Sequence, residues 1–516
     1  MKNFLGPILG KKNWLLSICS GLIAFGAFPP LDISLLAWFS LVPLLYVIGK
    51  TDNKGAFWYS YLTGTVFFAG VLYWLTVVSV PGYIILVLLL SVSFAVFGLF
   101  AGIVMKYSMN LLILPFGWVV LEYIRGNLFT GFPWVLLGYS QYRNINLIQV
   151  ADIAGSYGVS FIVAAFNVAL YGWLSGARQK ISHMMFALLL IISATSYGIY
   201  RVSDPPLGES AKISVVQGNI SQTLKWDARA AESITKKYAG LTEQAAEDLP
   251  DLIIWPETAY PYLMEKGNTA FSEMEKLSSE TGIPLLAGVV YSENGTYYNS
   301  AALFDGRQGI ALLYQKLHLV PFGEYVPFEK YLKPLRKYID KPIGSFASGK
   351  EYILFPVRSV RVSEGPESSL VRRTVFHKLG IMICFEDVFP YIARNFVLEG
   401  ARILVNITND AWFGDTAASR QHLQASVFRA VENRVPVVRS ANTGISAFVD
   451  FTGKIQSQVE VNGRETFIAG YCTDEVKTTP VRSHYTAYGD TFVYFSGLFL
   501  ILLLASESLA LHRKRS

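Results

Sequence analysis

Cysteine and histidine are scarce in this sequence, which has three cysteines and six histidines among 516 residues. It contains no Cys-x-x-Cys pair and no histidine cluster, so we expect no bound metal. Charged residues are also few: they make up 16% of the chain, whereas 52% of the residues are hydrophobic and the mean hydropathy is +0.36. Such a composition excludes an ordinary soluble protein and indicates a membrane protein.

The hydrophobic residues are concentrated in two regions, 12–200 and 491–511, whereas 205–485 has the composition of a soluble α/β domain. A helix needs about 20 apolar residues to cross a bilayer. We therefore predict eight membrane spans, near residues 13–29, 32–49, 57–79, 82–105, 108–124, 157–175, 182–200 and 491–511. The net charge of +6 does not indicate a nucleic-acid partner, because many of the basic residues flank these spans.

The basic residues also predict an orientation. If the spans alternate in direction, most of the flanking lysines and arginines fall on one side, which is the cytoplasmic side in membrane proteins. Both termini are then cytoplasmic and residues 201–490 lie outside. The predicted domains are a membrane domain of seven spans (1–200), an extracytoplasmic domain (201–490), and a last span with a basic tail (491–516).

The loop between residues 122 and 158 contains "GNLFTGFPWVLLGYSQ", which is too apolar for a plain loop and too short for a clean span. We expect an interfacial or re-entrant segment with Phe132, Trp134 and Tyr139 at the level of the lipid headgroups. Two interpretations remain open: these rings form an ordinary aromatic belt, or Trp134 contacts substrate.

Between residues 212 and 477, short β-rich runs alternate with helical ones, and many of the runs are continuously apolar. Continuously apolar strands occur in sheets that are covered on both faces, so the pattern predicts a layered α/β domain. Residues 321–350 have no clear periodicity and mix aromatic with basic residues. They are either a lid at the headgroup level or an ordinary surface loop.

Three polar residues follow strand-like runs: Glu257, Lys316 and Cys384. Each alone has a simple structural explanation, as a turn residue, a solvated lysine and a buried core cysteine. Together they suit nucleophilic catalysis, because a carboxylate can take the thiol proton and an ammonium can stabilise an oxyanion. A disulfide between Cys384 and Cys472 is the main alternative.

The segments around these residues are "IIWPET", "YQKLHLVPFGEYVP" and "IMICFEDVFP". In type, order and spacing they resemble the motifs of the nitrilase superfamily of carbon–nitrogen hydrolases. The resemblance implies a four-layer α-β-β-α sandwich and a catalytic triad of Glu257, Lys316 and Cys384.

The combination of eight spans with this sandwich resembles the apolipoprotein N-acyltransferase family of the bacterial envelope. Similar segments include "LEYIRGNLFTGFPW", "VVQGNISQTLKWD" and "NITNDAWFGDTAASRQHLQ". The resemblance implies transfer of an acyl group from a phospholipid, through a cysteine thioester, to the α-amine of a diacylglyceryl apolipoprotein. It also implies a location in the bacterial inner membrane, with the catalytic domain in the periplasm. We expect no cofactor and a monomer.

Other positions acquire roles by this resemblance. Glu324 and Glu386 match acidic residues that support the triad. Trp226 matches an aromatic residue at the pocket rim and Asn299 a polar pocket residue. Many members have tyrosine after the cysteine, whereas this chain has Phe385, whose ring is expected to line the acyl pocket.

Two other functions remain open. A membrane-tethered amidase or nitrilase would form the same acyl-enzyme and deliver the acyl group to water. A transporter or receptor would use the sandwich only to bind a ligand. Against the latter, the predicted spans contain few ionisable residues, Glu122 being an exception.

Overall fold

The computed structural model describes residues 11–106, 110–203, 208–225, 227–265, 272–306, 309–327, 346–364 and 370–513. The chain forms two compact units. Unit 1 comprises Met1–Asp204, Thr416–Gln424 and Ser483–Ser516, and unit 2 comprises Pro205–Asp415 and Ala425–Arg482.

The α-helices are α1 (Lys11–Gly26), α2 (Val42–Ile48), α3 (Asn53–Val71), α4 (Leu75–Val78), α5 (Val80–Lys106), α6 (Leu114–Asn127), α7 (Ile145–Ile148), α8 (Ala151–Leu174), α9 (Lys180–Val202), α10 (Gln222–Lys225), α11 (Ala231–Ala246), α12 (Ser272–Thr281), α13 (Pro390–Leu398), α14 (Ala418–Asn433), α15 (His484–Tyr488) and α16 (Thr491–Arg513). The strands are β1 (Ser210–Gln217), β2 (Leu252–Ile254), β3 (Leu263–Glu265), β4 (Leu285–Glu293), β5 (Thr296–Phe304), β6 (Leu312–Gln315), β7 (Leu354–Glu364), β8 (Leu370–Ile383), β9 (Ile403–Thr408), β10 (Val437–Ala441), β11 (Ala447–Val449), β12 (Ile455–Gln458) and β13 (Gly470–Lys477).

Unit 1 is helical. Among the described residues, three helices (α5, α8 and α9) are long and apolar enough to cross a membrane, and residues Thr491–Ser506 form a shorter apolar helix. Helices α1, α3 and α6 also overlap predicted spans.

The predicted span at 32–49 coincides with a shorter apolar helical segment, Ser34–Ile48, which is not one continuous α-helix. A 3₁₀ turn covers Ser34–Trp38, and α2 begins only at Val42, with Pro43 in its first turn. Backbone groups at such a break need hydrogen-bond partners, because lipid supplies none. Asn167 of α8 supplies two of them: its Nδ2 donates to the Ala37 carbonyl and its Oδ1 accepts from the Leu41 N–H, both at 2.9 Å.

The 122–158 loop is held by side chains of unit 1. The Glu122 Oε1 atom accepts a hydrogen bond from the Leu137 N–H at 2.7 Å, and Arg125 Nη1 donates to the Trp134 carbonyl at 2.8 Å. Trp134 and Tyr139 are buried, at 3% and 1% exposure. Protein therefore covers these two rings, and their position at the level of the lipid headgroups stays a prediction.

Unit 2 contains two sheets. The first has the strand order β13-β1-β2-β4-β5-β6, with β3 paired to β4, and the second has the order β12-β11-β10-β9-β8-β7. Strands β1, β2 and β4 run parallel to one another, as do β8, β9 and β10. All residues of β2 and β9 are buried, as expected for central strands of sheets that are covered on both faces.

Helices cover the outer faces of both sheets. Helix α11 contacts β1, β2 and β13, α12 contacts β5, and α13 contacts β8, whereas β1 contacts β10 across the interior. The Ser440 hydroxyl, near the carboxyl end of β10, donates to the Ile254 carbonyl at the carboxyl end of β2. The carboxyl ends of the central strands of both sheets therefore meet at one edge of unit 2.

Candidate active site

The three predicted triad residues all follow strands that end at this edge. Glu257 lies three residues after the end of β2, Lys316 directly follows β6, and Cys384 directly follows β8. The turn carrying Glu257 packs closely on β4: a Cβ atom on Gly288 would lie 2.4 Å from the Pro256 carbonyl oxygen and 2.6 Å from the Glu257 Cα atom. Only glycine fits at position 288 without moving Glu257.

Lys316 lies between two carboxylates. Its Nζ atom is 3.0 Å from Glu324 Oε1 and 3.6 Å from Glu257 Oε1, and its side chain is 1% exposed. The Asn299 Nδ2 atom donates to the same two oxygens, each at 2.7 Å, and this fixes the orientation of the amide. Burial by itself would lower the pKa of Lys316, but Glu324 and Glu257 raise it above its usual value. The lysine therefore keeps its charge.

Cys384 is 9% exposed and has a φ of +54°. A side chain in this left-handed region costs about 1 kcal/mol, and surrounding contacts must hold it there. Burial and the nearby Glu257 carboxylate raise the pKa of the Cys384 thiol, outweighing the opposite effect of Lys316. The resting residue is therefore a thiol, and it needs a base before it can act as a nucleophile.

Glu386 connects the turn at Cys384 to the backbone that follows Lys316. Its Oε1 atom accepts hydrogen bonds from the Leu317 N–H at 2.6 Å and the His318 N–H at 3.1 Å, and its Oε2 atom accepts one from the Ile383 N–H at 2.7 Å. The Tyr314 hydroxyl also donates to this carboxylate at 3.0 Å. Burial raises the pKa of Glu386 to about 7, against the lowering effects of Lys316 and these backbone donors.

A buried guanidinium lies on the other side of the turn at Cys384. Arg439 Nη1 donates to Asp387 Oδ2 at 3.2 Å and to Asn406 Oδ1 at 3.1 Å, and its Nη2 donates to Asp410 Oδ2 at 3.2 Å. Asn406 Nδ2 in turn donates to the Cys384 carbonyl at 2.9 Å. This network fixes the strained turn at Cys384.

The predicted substrate-binding residues lie in different places. Asn299 contacts the triad as described. The half-buried Phe385 ring packs on Phe389, with 5.1 Å between ring centroids. Trp134 belongs to unit 1, where its Nε1 atom donates to Gln421 Oε1 at 2.8 Å. Trp226 lies outside the described residues, as do residues 328–345 of the predicted lid.

No disulfide joins Cys384 to Cys472, both of which lie within the described part of the chain. The disulfide alternative is therefore wrong. Sequence reasoning missed three residues that the fold brings to the site: Tyr314, Arg439 and Lys225. Tyr314 and Lys225 lie within the quoted motifs "YQKLHLVPFGEYVP" and "LKWD". Nothing in the local sequence, however, shows that these side chains are buried.

Comparison with known proteins covers both parts of the chain. The family model described as "Apolipoprotein N-acyltransferase N-terminal domain" matches residues 20–169, and the one described as "Carbon-nitrogen hydrolase" matches residues 212–480. Among solved structures, Saccharomyces cerevisiae Nit3, a member of the nitrilase superfamily, is 17% identical with a TM-score of 0.38. The match covers 53% of this chain and 92% of that one.

Curated relatives match over almost the full length. The chain is 35% identical to the apolipoprotein N-acyltransferase of Geobacter metallireducens, over 98% of this chain and 97% of that protein. It is 31% identical to the Pasteurella multocida protein of the same name, over 98% of this chain and 96% of that protein. These matches confirm the resemblance predicted from the motifs. The chain belongs to the apolipoprotein N-acyltransferase family and carries a carbon–nitrogen hydrolase domain.

Proposed function

We propose that this enzyme transfers a fatty acyl group from a phospholipid, through a thioester on Cys384, to the α-amine of the N-terminal diacylglyceryl-cysteine of an apolipoprotein. The observation that carries the proposal is the cluster at the sheet edge, where a buried thiol, Glu257 and the charged Lys316 converge. Membership of the family supports the choice of substrates.

In the first half-reaction Glu257 takes the proton of the Cys384 thiol, and the sulfur attacks the ester carbonyl carbon of the phospholipid. The Lys316 ammonium stabilises the negative charge that develops on the carbonyl oxygen. When the tetrahedral intermediate collapses, the ester C–O bond breaks. Glu257 returns the proton to the departing glycerol oxygen, which leaves as lysophospholipid.

In the second half-reaction the neutral α-amine of the acceptor attacks the thioester carbon. A C–N bond forms, the C–S bond breaks, and Glu257 passes the amine proton to the Cys384 sulfur. Within the described residues, the buried Oδ1 atom of Asn299 accepts no hydrogen bond. In the proposed mechanism it accepts one from the N–H of the attacking amine.

Two carboxylates position the triad in this proposal. Glu324 holds Lys316 at 3.0 Å, and its Oε2 atom accepts the Val320 N–H at 2.7 Å. Glu386 ties the turn at Cys384 to the backbone that follows Lys316. In this proposal Phe385 lines the acyl pocket and Trp226 lies at its rim.

The proposal includes the membrane topology. Eight spans, both termini in the cytoplasm and a periplasmic catalytic domain would bring the site to the lipids of the inner membrane, which do not leave the bilayer readily. The basic loops support this orientation. In a cysteine-free variant, a new cysteine at residues 178–181 should react only with reagent on the cytoplasmic side, and one at residues 208–210 only with reagent outside. The reverse pattern would overturn the topology.

The chemistry is tested by intact-mass analysis of the purified enzyme with phospholipid alone. We expect the mass of one acyl chain on Cys384, release of lysophospholipid, and removal of the adduct by hydroxylamine. A diacylglyceryl-cysteine peptide with a free α-amine should discharge the adduct, and the same peptide with a blocked amine should not. The Cys384→Ala variant is the control and should gain no mass.

The same experiment separates the alternative functions. If water discharges the adduct as fast as the free-amine peptide does, the enzyme is a hydrolase. If the wild-type enzyme gains no hydroxylamine-sensitive mass, the proposal fails, and a binding function becomes the better explanation.

A further inference from the structure

A second lysine lies beside the site, at the end of α10. The Lys225 side chain is 4% exposed, and its Nζ atom donates a hydrogen bond to the backbone carbonyl of Glu257 at 2.8 Å. Its charge interacts electrostatically with Glu257 and Cys384. Lys225 therefore contacts the residue proposed as the base and lies within range of the proposed nucleophile.

Burial of the Lys225 ammonium costs free energy of folding. Among the residues that the structure describes, it forms no ion pair, and its one hydrogen bond goes to a neutral carbonyl. A buried ammonium without a carboxylate partner destabilises a fold, and a methionine of similar length would avoid that cost. Packing therefore does not explain a lysine at this position.

Lys316, unlike Lys225, has carboxylate partners. Two carboxylates surround it, so most of its positive charge is already balanced in the resting site. The proposed reaction adds negative charge on the Cys384 sulfur and then on the substrate carbonyl oxygen. Lys225 is the nearby cation that no carboxylate among the described residues contacts directly, so its charge is available to the anion that forms.

We propose that Lys225 is an electrostatic positioning residue, whose ammonium holds the Glu257 backbone and stabilises the Cys384 thiolate in both half-reactions. The inference rests on the proposed function, because it assumes that Cys384 is the nucleophile.

The protonation of Lys225 supports this role. Burial lowers the pKa of Lys225 to about 8, although Glu257 and Cys384 raise it. The charge is therefore present at pH 7 and is lost as the pH rises through about 8. The other charged groups that interact with Cys384 are Glu257, Lys316 and Asp410. All three side chains are still present in a variant in which only Lys225 is substituted.

The test measures the reactivity of Cys384 directly. The full-length enzyme in detergent is treated with iodoacetamide between pH 6 and pH 9.5, and alkylation of the Cys384 peptide is followed by mass spectrometry. We compare the wild-type enzyme with Lys225→Met, which removes charge and donor, and with Lys225→Gln, which removes charge but keeps a donor. Lys237→Met, on the exposed face of α11, is the matched control.

At pH 7 we expect Cys384 in both Lys225 variants to react about tenfold more slowly than in wild type, because a nearby cation lowers a thiol pKa by a unit or more. The Lys237→Met control should match wild type. The wild-type rate should rise less steeply above pH 8, where Lys225 loses its charge, whereas the variants should show no such bend. Acyl-adduct formation from phospholipid should slow in parallel.

Two results would overturn the inference. The first is alkylation of Cys384 at the wild-type rate in both variants, with no bend in the wild-type pH profile. This would mean that the charge of Lys225 does not affect the reactivity of Cys384. Slow alkylation in Lys225→Met with normal alkylation in Lys225→Gln would mean that only the hydrogen bond matters. If Lys225→Met does not fold, Lys225→Gln and the wild-type profile decide. Failure of wild type to form an acyl adduct would instead refute the proposed function, independently of these rates.

Discussion

Asn299 is the residue whose removal gives the sharpest test of the site geometry. Its Nδ2 atom donates to Glu257 Oε1 and Glu324 Oε1, both at 2.7 Å, and its side chain is 3% exposed. Asn299→Leu removes both hydrogen bonds at similar side-chain volume. Glu257 and Glu324 would then repel each other without a donor between them, and both would compete for Lys316.

The size of the effect follows from the two bonds. A hydrogen bond to a charged group contributes about 1.5–3 kcal/mol, and water cannot replace it in a buried site. At the lower value, the loss of both hydrogen bonds raises the activation free energy of acylation by about 3 kcal/mol. Acylation then slows roughly a hundredfold. Asn299→Asp should be at least as slow, because it adds a third acid beside the lysine.

The assay is the single-turnover rate of thioester formation from phospholipid, measured by intact mass. Asn395→Leu is the matched control, because Asn395 lies in unit 2 and, within the described part of the chain, its amide donates only to the neutral Tyr352 hydroxyl. Thermal unfolding in detergent shows whether each variant is folded. A folded Asn299→Leu enzyme that acylates within about threefold of wild type would refute the argument.

Three further predictions follow from the same cluster. Cys384→Ser should lose transfer while staying folded, because a serine hydroxyl is far less acidic than a thiol and Glu257 is a weak base for it; substantial turnover would contradict the nucleophile assignment. Lys316→Arg should be severely impaired in acylation assays despite its charge, because a planar guanidinium does not fit between Glu324 and Glu257; normal turnover would mean that only long-range charge matters. The raised pKa of Glu386, about 7, means that the native state binds its proton more tightly than the unfolded state, so this residue should lower stability as the pH rises from about 4.5 to 7. Glu386→Gln should flatten the pH dependence of thermal unfolding over that window, and an unchanged profile would contradict the shift.

Much of this protein is determined by short segments of sequence. The lengths of the apolar runs predicted α5, α8 and α9, because the transfer of a helix into lipid depends on its own side chains. The three motifs predicted Glu257, Lys316 and Cys384 as a catalytic set, because nucleophilic chemistry restricts the residue types that can serve. Mostly apolar runs likewise predicted central strands such as β9, which is buried throughout.

Tertiary structure decided the features that depend on residues far apart in the chain. At the break between Trp38 and Val42, Asn167 on another helix satisfies the Ala37 carbonyl and the Leu41 N–H. Lys225 and Arg439 look like ordinary surface residues in sequence, yet folding buries both beside the site. Burial and hydrogen bonding are properties of the neighbours that the fold supplies, so the charge balance around Cys384 was not accessible from the motifs that contain it.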